Sequence, residues 1–176
     1  MTEESLRYPV GRFTEPTIVT IAMRDAAIAD LAALPQLLRA TVSGLSQAQR
    51  DTPYRDGGWS VQQVVHHIAD SHMHAYLRVK FALTEESPTI RPYDEAAWAL
   101  LPDVASVHAD VSLSLIDGVH ARWVACLAGV DPACFVRPFV HPELGPQPID
   151  VSLLRYAWHG RHHTAHIANL RQRMEW

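Results

Sequence analysis

Histidine placement constrains this chain more than any other feature. Eleven of its 176 residues are histidine, and His159, His162, His163 and His166 fall within eight positions near the C-terminus. A second knot, His66, His67, His72 and His74, lies about ninety residues upstream. Imidazole is the commonest metal ligand and the side chain that titrates nearest neutral pH. Both knots interrupt segments with helical apolar spacing, so the two helices are expected to pack together with the rings between them. A metal site assembled from both knots is the first expectation.

Totals narrow the setting. The length suits one domain spanning residues 1–176, large enough to bury a core without disulfide staples. Hydrophobic residues make up 48% and charged residues 19%, as in a soluble globular protein. A formal charge of -4 argues against nucleic-acid binding. No apolar run reaches about 18 residues, so no membrane span is expected. The segment MTEESLRYPV lacks the apolar stretch of a secretory signal. Cys126 and Cys134 are expected to be reduced thiols in a cytoplasmic protein, one on a helix face and one near a loop.

Helical signals dominate the chain. Residues 18–45 are rich in Ala, Leu and Ile, with Pro35 predicting a kink or a break into two helices. The turn cluster Thr52–Gly58 precedes Ser60, which with Gln63 forms an S-x-x-Q capping box. The helix it starts carries Val61, Val64, Val65, Ile68, His72, Ala75, Tyr76 and Val79 at helical spacing. Asp94 is placed to cap a short helix through Leu101, and residues 111–127 are amphipathic. The proline-rich stretch 131–148 is irregular, with room for a hairpin, and a final helix runs from Asp150 to about Met174. Long helices without period-two strands predict an all-α four-helix bundle with short additional helices.

On the final helix, Leu154, Ala157, Trp158, Ala165 and Ala168 share one face. Tyr156, His163, Ile167, Leu170 and Met174 share the other, which predicts burial on two sides. His159 and His163 are i and i+4, about 6 Å apart at Cβ, the spacing with which H-x-x-x-H pairs bind zinc and similar ions. Gly160 stands where zinc peptidases place a glutamate. His162 and His166 have the same spacing, and periodicity does not choose between the pairs. On the upstream helix the wheel favours His72 as the inward residue, with His67 on the shoulder and His66 pointing away. Asp70, one turn from His67, is a candidate acceptor for an imidazole N–H or a general base. Arg55, with Tyr54 and Asp56, can reach the mouth of such a site or simply form the turn. Trp59, Trp98, Trp123 and Trp158 read as core or interface aromatics. His120 and His141 are candidate cleft residues for which surface placement is the plainer expectation.

The run from Asp51 through TPYRDGGWSVQQVVHHIADSHMHAYLR to Val79, the loop TEESPTIRPYDEAAW, the pair His120 and Trp123, and the segment YAWHGRHHTAHI closely resemble the YfiT-type branch of the DinB superfamily. The resemblance runs from Tyr8-Pro9 to the end. It implies a four-helix bundle, a homodimer, and one divalent metal per subunit, zinc or nickel, held by three histidines. Matched residue by residue, these are His67, His159 and His163. The resemblance thus selects His67 over His72 and the earlier pair over the later. It also implies a metal-dependent hydrolase, with low-molecular-weight thiol S-transferases among the relatives. The Pro146-Gln-Pro148 stretch departs from the family pattern, but outside these motifs.

Three uses of such a site are weighed. In hydrolysis, a metal with open positions makes water nucleophilic near neutral pH, with Asp70 or another carboxylate managing protons. In transfer, a thiol such as bacillithiol ionises at the metal and attacks an electrophilic small molecule, its carboxylates held by Arg55, Arg78 or Arg91. A non-enzymatic metal-binding dimer would instead saturate the metal with protein ligands.

Overall fold

The computed structural model describes residues 2–176. The chain forms α1 (Glu3–Arg7), α2 (Ile21–Val42), α3 (Gln47–Arg50), α4 (Val61–Thr84), α5 (Glu95–Trp98), α6 (Pro102–Ser106) and α7 (Ala109–Ala128), then a 3-10 turn (Pro132–Val136), a hairpin of β1 (Pro138–His141) and β2 (Gly145–Pro148), and α8 (Ile149–Met174). The expected four-helix bundle is built from α2, α4, α7 and α8.

Helix α4 starts where the capping box requires. Ser60 accepts from the Gln63 amide and the Gln63 side chain accepts from the Ser60 amide. Before it, Gly57 adopts φ +61°, the left-handed region that a side chain disfavours, and the reversed chain is pinned by Tyr54 N–H donating to the Trp59 carbonyl at 3.0 Å. Asp94 caps α5, accepting from the Ala97 amide at 2.9 Å, but that helix ends at Trp98 and Pro102 opens α6.

Pro35 does not divide the first long segment. Helix α2 is continuous around it. A proline has no N–H for the carbonyl four residues earlier, here Leu31, and an unsatisfied buried carbonyl costs on the order of 1–3 kcal/mol. That carbonyl instead accepts from His120 of α7 at 2.7 Å, which removes the reason for a break.

Around the bundle, α2 packs on α7 and α8, and α4 packs on α7 and α8, so α2 lies diagonal to α4 and α7 to α8. The long connections 43–60 and 129–148 make these two diagonal crossings. By length and apolarity α7 could cross a membrane. In the bundle it buries Leu113, Ile116, His120, Trp123 and Leu127. On α8 the two-sided burial differs from expectation: Ala168 and Met174 are exposed, while Gly160 and Thr164 are buried.

The core falls into two apolar clusters. One contains Leu31, Ala75, Val79, Trp123 and Ala157, the other Leu34, Ile68, Ile116 and Ile167. On each of α4, α7 and α8, histidines occupy the step between the clusters: His72, His120, and the pair His159 and His163. A layer of imidazole therefore crosses the bundle between two blocks of hydrocarbon. Cys126 lies on α7 and Cys134 in the 3-10 turn, both as free thiols.

Candidate metal centre

Helix α4 contributes His67 and α8 contributes His159 and His163. The ligand-capable nitrogens of these three lie within 4.8 Å of one another. His67 Nε2 is 3.1 Å from His159 Nε2, and His159 packs edge-on against His163 with centroids 4.4 Å apart. Burial disfavours the imidazolium form of each ring: His67 is pushed down to about 4, and His159 and His163 fall well below the usual range. Neighbouring imidazoles push the same way. A neutral ring with a bare nitrogen is the form that ligates a cation, so the donor set suits a divalent metal such as zinc.

Each ring of the trio except His67 is backed by another histidine. His72 Nε2 lies 3.1 Å from His159 Nδ1, and His72 Nδ1 lies 3.0 Å from His120 Nε2. His166 Nδ1 lies 3.4 Å from His163 Nδ1, and His166 Nε2–H donates to the Arg7 carbonyl at 3.2 Å. The inward position of His72 is therefore real, but it stands behind His159 rather than facing the other two rings. His162, His163 and His166 form a second compact group. All three residues of that group lie on α8.

The trio opens into a cleft of about 900 Å³. Its floor is α4 and α8. Its rim is the segment 92–96 and the hairpin turn, tied together where the Ile90 amide donates to the Val140 carbonyl at 3.0 Å. Trp59 covers the trio, 4.6 Å from His67 and stacked over His163 at 6.2 Å. Trp158 lines the cleft and stacks on His162 at 4.5 Å. Both tryptophans line the cleft, and Trp59 also packs against the core cluster that contains Ile68. Trp123 is core, and Trp98 lines a neighbouring hollow of about 800 Å³. His141 lines the cleft, whereas His120 is buried in the bundle.

Asp70 does not join the trio. Its carboxyl is pushed up first by burial and then by Asp103, and it is not among the residues that line the cleft. Arg55 is also outside the cleft: it donates to the Asp56 carbonyl and lies near the Tyr54 ring. Tyr54 stacks on His166 at 3.9 Å, so this turn meets the site one imidazole removed. The carboxylates that do line the cleft are Asp94, Glu95 and Glu143, of which the sequence marked only Asp94, and that as a helix cap. Arg78 lines both the cleft and the hollow. It donates to the Tyr156 hydroxyl at 3.3 Å, its Nε is buried without a partner, and no ion pair holds it among the described residues. Arg91 lines the hollow alone.

Residues 30–167 match the DinB superfamily. A protein of Bacillus mycoides (strain KBAB4) is 49% identical over 98% of this chain and 99% of its own length, and one of Bacillus cereus (strain B4264) is 50% identical over 97% and 98%. Both carry the name "Putative metal-dependent hydrolase". Among solved structures, YfiT from Bacillus subtilis superposes with a TM-score of 0.94 at 43% identity, covering 98% of this chain and 99% of that one. It is described as a probable metal-dependent hydrolase with an unusual four-helix bundle topology. TT2238, a four-helix bundle protein, shares the fold at a TM-score of 0.55 and 23% identity, over 80% of this chain.

Proposed function

The chain belongs to the DinB superfamily, and from that premise we propose that it is a metal-dependent hydrolase whose divalent cation, zinc or nickel, is held by His67, His159 and His163. The observation that carries this reading is the convergence of three neutral, desolvated imidazoles from two helices on one point at the floor of a cleft. A divalent cation there would supply Lewis acidity, making water nucleophilic near neutral pH and polarising a carbonyl.

The chain's own residues do the rest. Trp59 packs on His67 and His163, and Trp158 lines the same cleft beside His162. Asp94, Glu95 and Glu143, which line the cleft, are the carboxylates there that can accept a proton, Asp94 while also capping α5. They take that role in place of Asp70, which does not line the cleft. Of Arg55, Arg78 and Arg91, only Arg78 lines the cleft, where it offers a guanidinium to an anionic or carbonyl group of a small-molecule substrate.

Arg78 also favours a second reading, transfer of a low-molecular-weight thiol. An unpaired guanidinium beside the trio suits the carboxylates of such a thiol. Turnover of a chlorinated aromatic that strictly requires bacillithiol would select transfer over hydrolysis. Pairing into a homodimer and a cytoplasmic setting belong to the same proposal.

Metal analysis of the purified protein tests the ligand set. Wild type is expected to hold one equivalent, and His67→Ala and His163→Ala to lose it. Retention of stoichiometric metal by both, with loss in His72→Ala or His166→Ala, would overturn the assignment.

A further inference from the structure

Five histidines, two of the trio and three behind them, are hydrogen-bonded in an order that leaves no freedom in where their protons sit. A carbonyl oxygen accepts and never donates, and a neutral imidazole donates from one nitrogen and accepts at the other. The Leu31 carbonyl is free because Pro35 has no N–H to offer it. It must therefore receive His120 Nδ1–H, at 2.7 Å. That leaves His120 Nε2 bare, so at 3.0 Å it receives His72 Nδ1–H. His72 Nε2 is then bare and at 3.1 Å receives His159 Nδ1–H. The chain ends with a bare Nε2 on His159, facing His67.

A second chain repeats the logic from another direction. The Arg7 carbonyl lies at the end of α1, beyond the reach of that helix's own amides. It receives His166 Nε2–H at 3.2 Å, leaving His166 Nδ1 bare to accept His163 Nδ1–H at 3.4 Å. His163 is likewise left with a bare Nε2.

We propose that these two carbonyl-anchored imidazole chains fix the tautomers of His159 and His163 so that both present a bare Nε2 to a cation, which makes His72, His120 and His166 positioning residues for the site. Desolvation that keeps all five rings neutral supports the same scheme, because an imidazolium would donate at both nitrogens and break the sequence. The inference rests on the metal reading for its purpose but not for its chemistry. It also singles out His67. With His159 Nε2 bare, the 3.1 Å contact between the two Nε2 atoms requires His67 to be the donor in the metal-free protein. His67 alone must then move its proton to Nδ1 to become a ligand.

Long-range nitrogen–proton NMR on the metal-free protein reads every tautomer directly. His72, His120, His159 and His163 are expected as Nδ1–H forms, and His67 and His166 as Nε2–H forms. Added zinc is expected to convert only His67. An Nε2–H signal on His159 or His163 before zinc is added overturns the proposal. If zinc does not bind while the metal-free tautomers are as stated, the cation reading fails and the fixed tautomers stand. The positioning role is tested by zinc affinity in His120→Leu and in His166→Phe, the latter keeping a ring against Tyr54. Each is expected to bind one equivalent of zinc at saturation with affinity reduced about 10–100-fold. Unchanged affinity in the variants that fold overturns the role.

Discussion

Gly160 sits directly against Leu34: a Cβ on Gly160 would lie 2.6 Å from Leu34 Cδ2 and 3.1 Å from Cδ1. The contact brings α8 close to α2 at the residue that follows His159. Leu34 is buried in the core and cannot swing away without disturbing its neighbours. Gly160→Ala is therefore expected to destabilise the protein by about 1–3 kcal/mol, despite the helix-propensity gain of about 1 kcal/mol that Ala brings. Urea denaturation measures this. Adding Leu34→Ala opens the space, so the double variant should lose less than the sum of the two single variants. Additive losses would mean that the two residues do not compete for the same volume.

Zinc binding should be visible as thermal stabilisation. A ligand present at about 100 times its Kd and binding only the folded chain adds about 2.7 kcal/mol. For a domain of this size that raises Tm by roughly 5–11 °C. Calorimetry with and without zinc measures it, and His67→Ala should show no rise. Equal rises in both proteins would place the zinc elsewhere.

The parts of the fold set by local chemistry were legible. Ser60 and Gln63 mark the start of α4 because a capping box involves only four residues, and the helical period of α4 and α8 follows from their own apolar spacing. Pairings across the bundle were not. Pro35 read as a break because nothing in the sequence reveals that His120 takes the Leu31 carbonyl. His72 read as the inward ring, which it is, but that it stands behind His159 rather than facing the other two rings depends on how α8 meets α4. Asp70 read as an acceptor for an imidazole N–H or a general base because one helical turn separates it from His67, yet it does not line the cleft into which the trio opens. Trp59 and Trp158 read as core or interface aromatics because composition does not separate a cleft wall from a packed interior. The choice of His159 and His163 over His162 and His166 came from family resemblance, since both pairs have the same spacing.

Acid should unfold the metal-free protein over a defined window. Burial holds His67, His162 and His166 down to about 4, against an ordinary 6.5 for an exposed imidazole. Their folded-state values are depressed, so as pH falls the unfolded chain takes up protons first. Stability is full above about 6.5 and is lost between 6.5 and 4. His67 alone accounts for about 3 kcal/mol of that loss. Urea midpoints at several pH values across the window measure the slope, and a flat profile would show that these rings are solvated or already charged in the fold.

Replacing Pro35 by Ala separates the two roles of that residue. In an ordinary helix interior, proline costs about 3 kcal/mol, part of it from the carbonyl left unsatisfied. Here His120 already satisfies that carbonyl at 2.7 Å, so less of the cost remains to be recovered. Pro35→Ala also supplies an N–H aimed at the same oxygen, which then either accepts both donors or loses His120. The expected gain is about 1 kcal/mol or less by urea denaturation, well below the usual difference between the two residues. A gain near 3 kcal/mol would mean that the Leu31 carbonyl is unsatisfied in the native protein and that His120 does not donate to it.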